Sequence, residues 1–260
     1  MIDLHSHVLP GLDDGPHDLD GSVALARLAA EGGTRTLVGT PHIRDDHPFQ
    51  LPEIPDRAAE LRAALSEAGI ELEIETGGEL DIAKAIDLSN EAISKVCLGS
   101  GPYLLVESPY THASELLENM LFDLQTRGFR PILAHPERAP SFHSDLQRLR
   151  EIVDRGVLCS VTAMSMTGGF GSTVRRFTAQ LFAAGLVHNV ASDAHDARRR
   201  PPGLSHAFEA LEPELPGLAE QAEWFTMEAP RAVLVGDELP PAPVSPYLKR
   251  SGFRRLLRRG

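Results

Sequence analysis

MIDLHSHVLPGLDDG, residues 1–15, opens with a short apolar segment, Ile2–Leu4, that runs straight into His5-Ser6-His7. Two residues at i and i+2 on extended backbone point to the same side, so the spacing pairs the imidazoles. A turn follows, Pro10-Gly11-Leu12-Asp13-Asp14-Gly15, whose glycines permit tight backbone and let the carboxylates fold back toward the strand end. The same address recurs along the chain. RTLVG ends in Thr40-Pro41-His42, the third apolar segment runs into Gly77-Gly78-Glu79, and YLLV ends at Glu107. PILA ends at His135-Pro136-Glu137-Arg138, and HNVA at Ser192-Asp193-Ala194-His195. A lone histidine after a strand is ordinarily a hydrogen-bonded structural residue. Six strand ends carrying histidine or acid point instead to one metal-binding edge, because carboxyl ends of parallel strands converge on the functional face of an α/β domain.

The segments between these ends set the fold class. The predicted strands are Ile2–Leu4, Arg35–Gly39, Glu71–Thr76, Tyr103–Val106, Pro131–Ala134, Leu158–Thr162 and His188–Ala191. Helical periodicity is read near Gly21–Glu31, Asp56–Glu67, Ala113–Thr126, Ser144–Asp154, Thr173–Ala184 and Leu204–Leu211. In the first of these Val23, Leu25, Ala26, Leu28 and Ala29 supply the apolar face, and Leu116, Leu117, Met120, Leu121 and Leu124 supply it before the fifth strand. Strand–helix alternation implies a mainly parallel sheet covered by helices. Seven strands are counted more easily than eight, so a closed or distorted barrel is the first reading and a doubly wound open sheet the second.

The chain has 260 residues, 42% hydrophobic and 24% charged, enough for one packed α/β domain. No apolar run approaches a membrane span, and the start of the chain lacks the basic and apolar regions of an export signal. Two cysteines, Cys97 and Cys159, read as reduced core thiols of a cytoplasmic protein. The formal net charge is -12, yet residues 241–260 hold Lys249, Arg250, Arg254, Arg255, Arg258 and Arg259 and no acid. Without those six cations, 19 basic residues face 37 acidic ones, a net of -18 over residues 1–240. So acidic a body does not suit nucleic acid. The division expected is a domain over residues 1–240 and a proline-rich, then basic, tail over 241–260. The tail reads either as a solvated terminus or as a contact for anionic membrane or an acidic partner, which would put the protein at the inner face of the membrane.

Imidazole nitrogen and carboxylate oxygen dominate the candidate donors, without a cysteine pair for a structural zinc or an iron–sulfur cluster. His5, His7, Asp14, His42, Glu79, Glu107, His135, Asp193 and His195 are nine side chains, too many for one ordinary zinc site. They predict two or three divalent ions sharing carboxylates, with Glu79 the preferred bridge. Arg138 carries a planar donor fork suited to phosphate, or else pairs with Glu137 or a nearby acid.

This set of blocks resembles the polymerase and histidinol phosphatase (PHP) superfamily. It is most similar to the bacterial protein-tyrosine phosphatases encoded with capsule and exopolysaccharide machinery. The likeness runs through MIDLHSHVLPGLDDG, TPH, GGEL, YLLVESP, AHPER, SMTGGFG and VASDAH, covering about residues 1–235. The resemblance implies a distorted (β/α)7 TIM-like barrel of PHP type with a trinuclear centre, most often manganese, with iron, zinc or magnesium as alternatives. Carried across, His5, His7, Glu79 and Asp193 hold the first ion, and Glu79, Glu107 and His135 the second. Asp14, His42 and His195 surround the third. Arg138 corresponds to the arginine of the HPER block, and Ser165, Thr167 or nearby backbone N–H groups of SMTGGFG help define the substrate opening. The chain departs from the pattern at Ile43, where relatives often carry a second histidine, and at Ser108, where they often carry phenylalanine.

The implied reaction is hydrolysis of phosphotyrosine on a protein, expected to be a bacterial tyrosine kinase. Ions and Arg138 would stabilise the phosphoryl oxygens, and Asp193 or His195 would manage a proton. A cysteine phosphatase is excluded, because it needs arginine six positions after its cysteine and here Tyr103 and Ser165 stand there. The runner-up is a small-molecule phosphatase such as a histidinol-phosphate hydrolase. Amide hydrolysis or deamination also uses strand-end histidines, but Arg138 suits phosphate better than a neutral amide. A non-enzymatic binding module is the remaining alternative.

Overall fold

The computed structural model describes residues 1–107 and 115–243. Nine strand segments are present among them: β1 Ile2–Ser6, β2 Thr36–Gly39, β3 His42–Ile43, β4 Glu73–Thr76, β5 Glu79–Asp81, β6 Tyr103–Glu107, β7 Arg130–Ala134, β8 Leu158–Thr162 and β9 Asn189–Ala191. The helices are α1 Leu19–Glu31, α2 Glu53–Glu67, α3 Asn90–Ser94, α4 Glu115–Thr126, α5 Pro140–Ser144, α6 Leu146–Asp154, α7 Ala163–Thr167, α8 Ser172–Ala183, α9 Leu204–Leu211 and α10 Ala229–Val235. Every strand pair is parallel. One sheet runs β1-β2-β4 and the other β3-β5-β6-β7-β8-β9, so the chain is an α/β protein of parallel sheets and helices. A single bridge, Ser6 to Ala194, ties the first strand to the segment after the last.

Two of the seven expected strands, Arg35–Gly39 and Glu71–Thr76, are each followed by a further short segment, β3 and β5, which accounts for the nine. Pro41 has no N–H for the ladder and separates β2 from β3. Gly77 and Gly78 separate β4 from β5. The Gly78 N–H leaves the ladder for the Val96 carbonyl at 2.9 Å. A Cβ on Gly77 would lie 2.6 Å from Leu98 Cδ2, and one on Gly78 would lie 2.8 Å from Ile43. Only glycine lets the chain pass so close. The strand ends carrying His42 and Glu79 therefore belong to the second sheet, where the two residues are register partners.

Inner and outer layers follow from strand alternation. Tyr103, Leu105, Ile132, Ala134, Val38, Ile2 and Leu4 form one buried cluster inside the strands. Leu104, Val106, Leu133 and Leu37 face outward into a larger cluster shared with the helices. Strict alternation would send His5 to the side opposite Leu4. A register shift between Asp3 and Ser6 breaks the alternation, and His5 faces the space above the inner cluster.

Helix boundaries shift for local reasons. The Asp18 carboxylate accepts the Gly21 N–H at 2.9 Å and starts α1 two residues before the expected Gly21. The expected helix Ser144–Asp154 is split at Asp145, whose carboxylate caps α6 through the Arg148 N–H. His188 lies just outside β9. The glycine-rich stretch after β8 begins as α7 rather than a plain loop. On α4, Leu117, Leu121 and Leu124 are buried as expected, but Leu116 is 64% exposed. Ala113, Ser108 and the basic residues of the tail lie outside the described residues. No helix among the described residues is long and apolar enough to cross a membrane.

Candidate metal centre

His5 and His7 at the end of β1 converge with Glu79 from β5 and Asp193 after β9. His5 Nε2 lies 3.3 Å from His7 Nε2, 3.3 Å from Glu79 Oε2 and 3.4 Å from Asp193 Oδ1. His7 Nε2 lies 3.4 Å from Glu79 Oε2 and 3.4 Å from Asp193 Oδ1. Five of the six edges of a tetrahedron are thus nearly equal. A regular tetrahedron with such edges has its centre about 2.05 Å from each corner, the distance at which nitrogen and oxygen bind a divalent metal. All four residues are buried, with at most 2% exposure.

Hydrogen bonding outside this cage leaves the donor atoms free for a cation. His7 Nδ1 pairs with Asp13 Oδ2 at 2.6 Å, so the proton held there leaves the Nε2 lone pair facing the cage. Asp13 also accepts the His42 N–H at 2.9 Å and the Gly15 N–H at 3.0 Å. The turn closes tightly enough that a Cβ on Gly15 would lie 2.1 Å from the His7 carbonyl oxygen. His195 Nδ1 is 2.9 Å from the Asp193 carbonyl, so it donates there, and its Nε2 lies 3.3 Å from Asp14 Oδ1. Two acceptors that close are stable only with a cation or proton between them. Glu79 Oε2, fully buried, makes no hydrogen bond although His42 Nδ1 lies 3.0 Å away, also without one. These unpartnered atoms and the cage spacing fit nitrogen- and oxygen-loving divalent ions.

Around the cage the remaining expected donors assemble. His135 Nε2 lies 2.7 Å from Glu79 Oε1, and His42 Nδ1 lies 4.0 Å from Glu107 Oε2. Asp14 Oδ1 is 3.6 Å from His42 Nε2 and 4.0 Å from His7 Nδ1. All nine side chains chosen from sequence therefore meet at one place. His135 and Asp193 are the two non-glycine residues with positive φ among the described residues, at 36° and 53°. Such backbone is tolerated where surrounding structure demands it, and both residues belong to this cluster.

The electrostatics are those of an anionic pocket. Burial opposes ionisation of Glu79, but the charge of His5, the His135 hydrogen bond and the nearness of His42 hold it well below the usual carboxylate range. Asp193 is likewise held well below, against burial, by His5, His7, Arg200 and His135. Asp13 is lowered to about 2 against burial, chiefly by His7. Glu107 moves the other way, pushed up by burial and by the Glu79 charge. Two crowded buried carboxylates of this kind take up a cation in place of a proton.

Three arginines face the same cavity of 190 Å³, which Asp14, His42, Glu79, Glu107, His135, Asp193 and His195 also line. Arg138 Nη1 donates to Asp193 Oδ2 at 2.7 Å, and Arg200 Nη2 donates to the same oxygen. Arg200 Nη1 lies 2.8 Å from His195 Nε2, and Arg44 Nη1 reaches Glu107 Oε2 at 3.2 Å. Arg138 thus pairs with Asp193, not Glu137. Arg200 and Arg44 were not singled out from sequence, although the Arg198-Arg199-Arg200 run two residues after SDAH was a visible signal.

The expected substrate contacts of Ser165 and Thr167 are corrected at the side-chain level. Ser165 is fully buried, and its hydroxyl donates to Glu137 Oε1 at 2.7 Å. Thr167 is exposed, and its hydroxyl bonds the Met164 carbonyl at 3.1 Å. Neither lines the cavity. From the same stretch it is Phe170 that reaches the site, with the Arg138 guanidinium 4.4 Å and that of Arg200 5.9 Å from its ring centroid. Glu137 is a buried anchor for α7, accepting the Thr162 N–H at 2.9 Å as well.

The sequence profile of the capsular polysaccharide synthesis family CpsB/CapC matches residues 1–234. The chain belongs to the CpsB/CapC family. Among its relatives, the tyrosine-protein phosphatase YwqE of Bacillus subtilis is 33% identical over 218 residues, 82% of this chain and 85% of YwqE. The tyrosine-protein phosphatase CpsB of Streptococcus pneumoniae is 28% identical over 244 residues, 90% of this chain and 98% of CpsB. The crystal structures of YwqE and CpsB are of metal-dependent tyrosine phosphatases. A chain from them is similar with a TM-score of 0.82 at 31% identity, covering 94% of this chain and 99% of that one. A β-aspartyl dipeptidase from Fervidobacterium islandicum shares the fold alone, with a TM-score of 0.56 at 13% identity, over 90% of this chain and 74% of its own. In the CpsB/CapC frame the whole cluster lies inside the matched region, and the tail beyond residue 234 lies outside it.

Proposed function

We propose that this chain is a metal-dependent protein-tyrosine phosphatase that hydrolyses phosphotyrosine on a protein, with a bacterial tyrosine kinase of capsule or exopolysaccharide synthesis as its substrate. The observation that carries the proposal is the four-atom cage of His5, His7, Glu79 and Asp193 with two guanidiniums, Arg138 and Arg200, converging on its edge. Family membership supports the same reading. His5, His7, Glu79 and Asp193 would hold one ion, Glu79, Glu107 and His135 a second, and Asp14, His42 and His195 a third. Manganese is the expected metal, with iron, zinc or magnesium compatible with the donors. When bound, such ions supply Lewis acidity that polarises phosphoryl oxygens and acidifies water.

The side chains contribute the rest. An entering phosphate monoester competes with Asp193 Oδ2 for the N–H donors of Arg138 and Arg200, which then bind its oxygens. Water adds to phosphorus, the P–O bond to the phenol breaks, and the released phenolate takes a proton. His195, with its own proton on Nδ1, accepts the Arg200 N–H at Nε2, 3.3 Å from Asp14; once Arg200 turns to the phosphate, Nε2 would hold an ion or accept that water's proton. Phe170 packs against the two guanidiniums and orients their planes. An Asp14 side chain 52% exposed at the rim favours an open mouth suited to a protein-borne phosphotyrosine over an enclosed small-molecule site.

The fold is read as a distorted (β/α)7 barrel of PHP type within a single domain over residues 1–240. The in-line breaks at Pro41 and Gly77-Gly78 and the Ser6–Ala194 bridge support that reading. We also propose that the basic residues of the tail contact anionic membrane; deleting residues 241–260 should weaken binding to anionic vesicles, and unchanged binding would exclude the role. The central test is a rate panel on phosphotyrosyl peptide, phosphoseryl peptide and histidinol phosphate, using protein of measured metal content. Preference for phosphotyrosine is expected. Preference for histidinol phosphate by orders of magnitude would overturn the proposal.

A further inference from the structure

The turn after β9 carries three consecutive arginines, and the last of them, Arg200, lines the cavity. Arg200 bonds His195 and Asp193. Arg198 and Arg199 are exposed, and neither side chain forms a hydrogen bond or ion pair among the described residues. Their backbone is nevertheless fixed. Asp196 Oδ1 accepts the N–H groups of Arg198 at 2.7 Å and Arg199 at 2.6 Å, and the Arg200 carbonyl accepts the His195 N–H at 3.0 Å. The turn is therefore pinned at its base to a residue of the metal cluster, and at its end to the cavity by the Arg200 guanidinium.

Elsewhere around the mouth, positive charge is compensated. Arg44 pairs with Asp46 and Glu107, and Lys84 pairs with Asp45. Arg198 and Arg199 thus carry charge with no direct ion pair among the described residues, although Arg199 acts on the neighbouring Asp196 carboxylate, on a body whose net charge over residues 1–240 is -18. So acidic a body repels an acidic ligand on average, a patch of this kind offsets that locally, and screening limits the attraction to about 8 Å at physiological salt. An extended peptide advances about 3.3 Å per residue, so groups within roughly three residues of the bound phosphate fall in range.

We infer that Arg198 and Arg199 form a recognition surface for acidic residues flanking the phosphotyrosine of a peptide substrate. The inference rests on the phosphatase reading above and adds the chemical class of the sequence around the phosphate. Nucleic acid is disfavoured by the anionic body, and this patch is too small to overcome it.

The test uses manganese-loaded full-length protein and three phosphotyrosyl peptides of one core sequence with Asp/Glu, Ser/Ala or Lys flanks, with p-nitrophenyl phosphate alongside. The readout is the ratio of kcat/KM between flanks within each protein, which cancels any general loss of activity. The wild type should prefer acidic to neutral flanks by on the order of threefold per arginine at low salt, shrinking at high salt. R198K/R199K should keep that ratio, R198A/R199A should bring it near one, and R198E/R199E should invert it toward Lys flanks. A wild-type ratio near one, or an acidic preference that survives charge reversal, overturns the inference. Absence of hydrolysis of all peptides and of p-nitrophenyl phosphate overturns the phosphatase reading and this inference with it, and is distinguishable from the first result.

Discussion

Replacing Glu79 with glutamine keeps the shape of the side chain and removes one charge from the middle of the cluster. In the wild type Oε2 lies 3.3, 3.4 and 3.0 Å from His5, His7 and His42, and Oε1 lies 2.7 Å from His135. Glutamine offers one neutral acceptor and turns an N–H₂ group toward lone pairs that need a cation. Loss of an outer-sphere partner alone lowers metal affinity 10–100-fold, so a charged donor shared between two ions should cost at least about 100-fold, or ~2.7 kcal/mol. Metal that binds only the folded state stabilises it by mass action, so at a fixed manganese concentration well above both dissociation constants the same amount is missing from the metal-linked stability. For a chain of this size 1 kcal/mol moves Tm by about 2–4 °C, so the manganese-induced rise should be about 5–10 °C smaller in E79Q. Elemental analysis after gel filtration should find at least one ion fewer per chain, and scanning calorimetry with and without manganese should read the lost rise. A variant with wild-type metal content and the full rise in Tm would refute Glu79 as a shared ligand.

Changing Arg138 to alanine should lower kcat by about 10²–10³ while metal content holds, the loss expected for one donor aimed at developing charge; a fall in bound metal instead would mean that it serves the cage. Asp13 to asparagine removes the carboxylate that fixes the His7 tautomer at 2.6 Å and should weaken manganese binding about 10–100-fold in a competitive chelator titration, with unchanged affinity refuting the tautomer argument. His188, lowered by burial to about 4, accepts the Cys159 N–H at Nδ1 and folds in its neutral form. The unfolded chain binds the proton first, near pH 6.5, so this contribution is complete above that pH and is lost as pH falls toward 4. Its slope is at most ~1.4 kcal/mol per pH unit. Urea unfolding should show stability falling over that window and a flatter dependence in H188Q; parallel curves would contradict it.

Much of the site was legible because its residues sit where a periodic rule puts them. Each candidate ligand comes after an apolar strand, and parallel strands bring their carboxyl ends together whatever the loops between them do. His42 was readable after RTLVG, and Glu79 after the third segment, for that reason. Arg200 was not, because it stands five residues past the last ligand on a turn with no periodic rule for where its guanidinium goes. Ser165 failed for a related cause. A hydroxyl in a glycine-rich stretch reads as accessible, yet it is enclosed because Glu137, buried beneath α7, requires a donor.

By itself the sequence determined the α/β class and the strand–helix alternation, and it named nine candidate donors and the chemistry they suit, since these depend on residue type and local spacing. Only the tertiary structure decided which atoms meet. The register shift in β1 that moves His5 off the alternation of Leu4, and the breaks at Pro41 and Gly77-Gly78 that carry His42 and Glu79 into the second sheet, answer to packing across strands. The cage edges of 3.3–3.4 Å, the choice of Asp13 to hold His7 and the pairing of Arg138 with Asp193 are long-range consequences of that packing. Local spacing names the candidates at the end of MIDLHSH; contacts between residues far apart in the chain turn them into a centre.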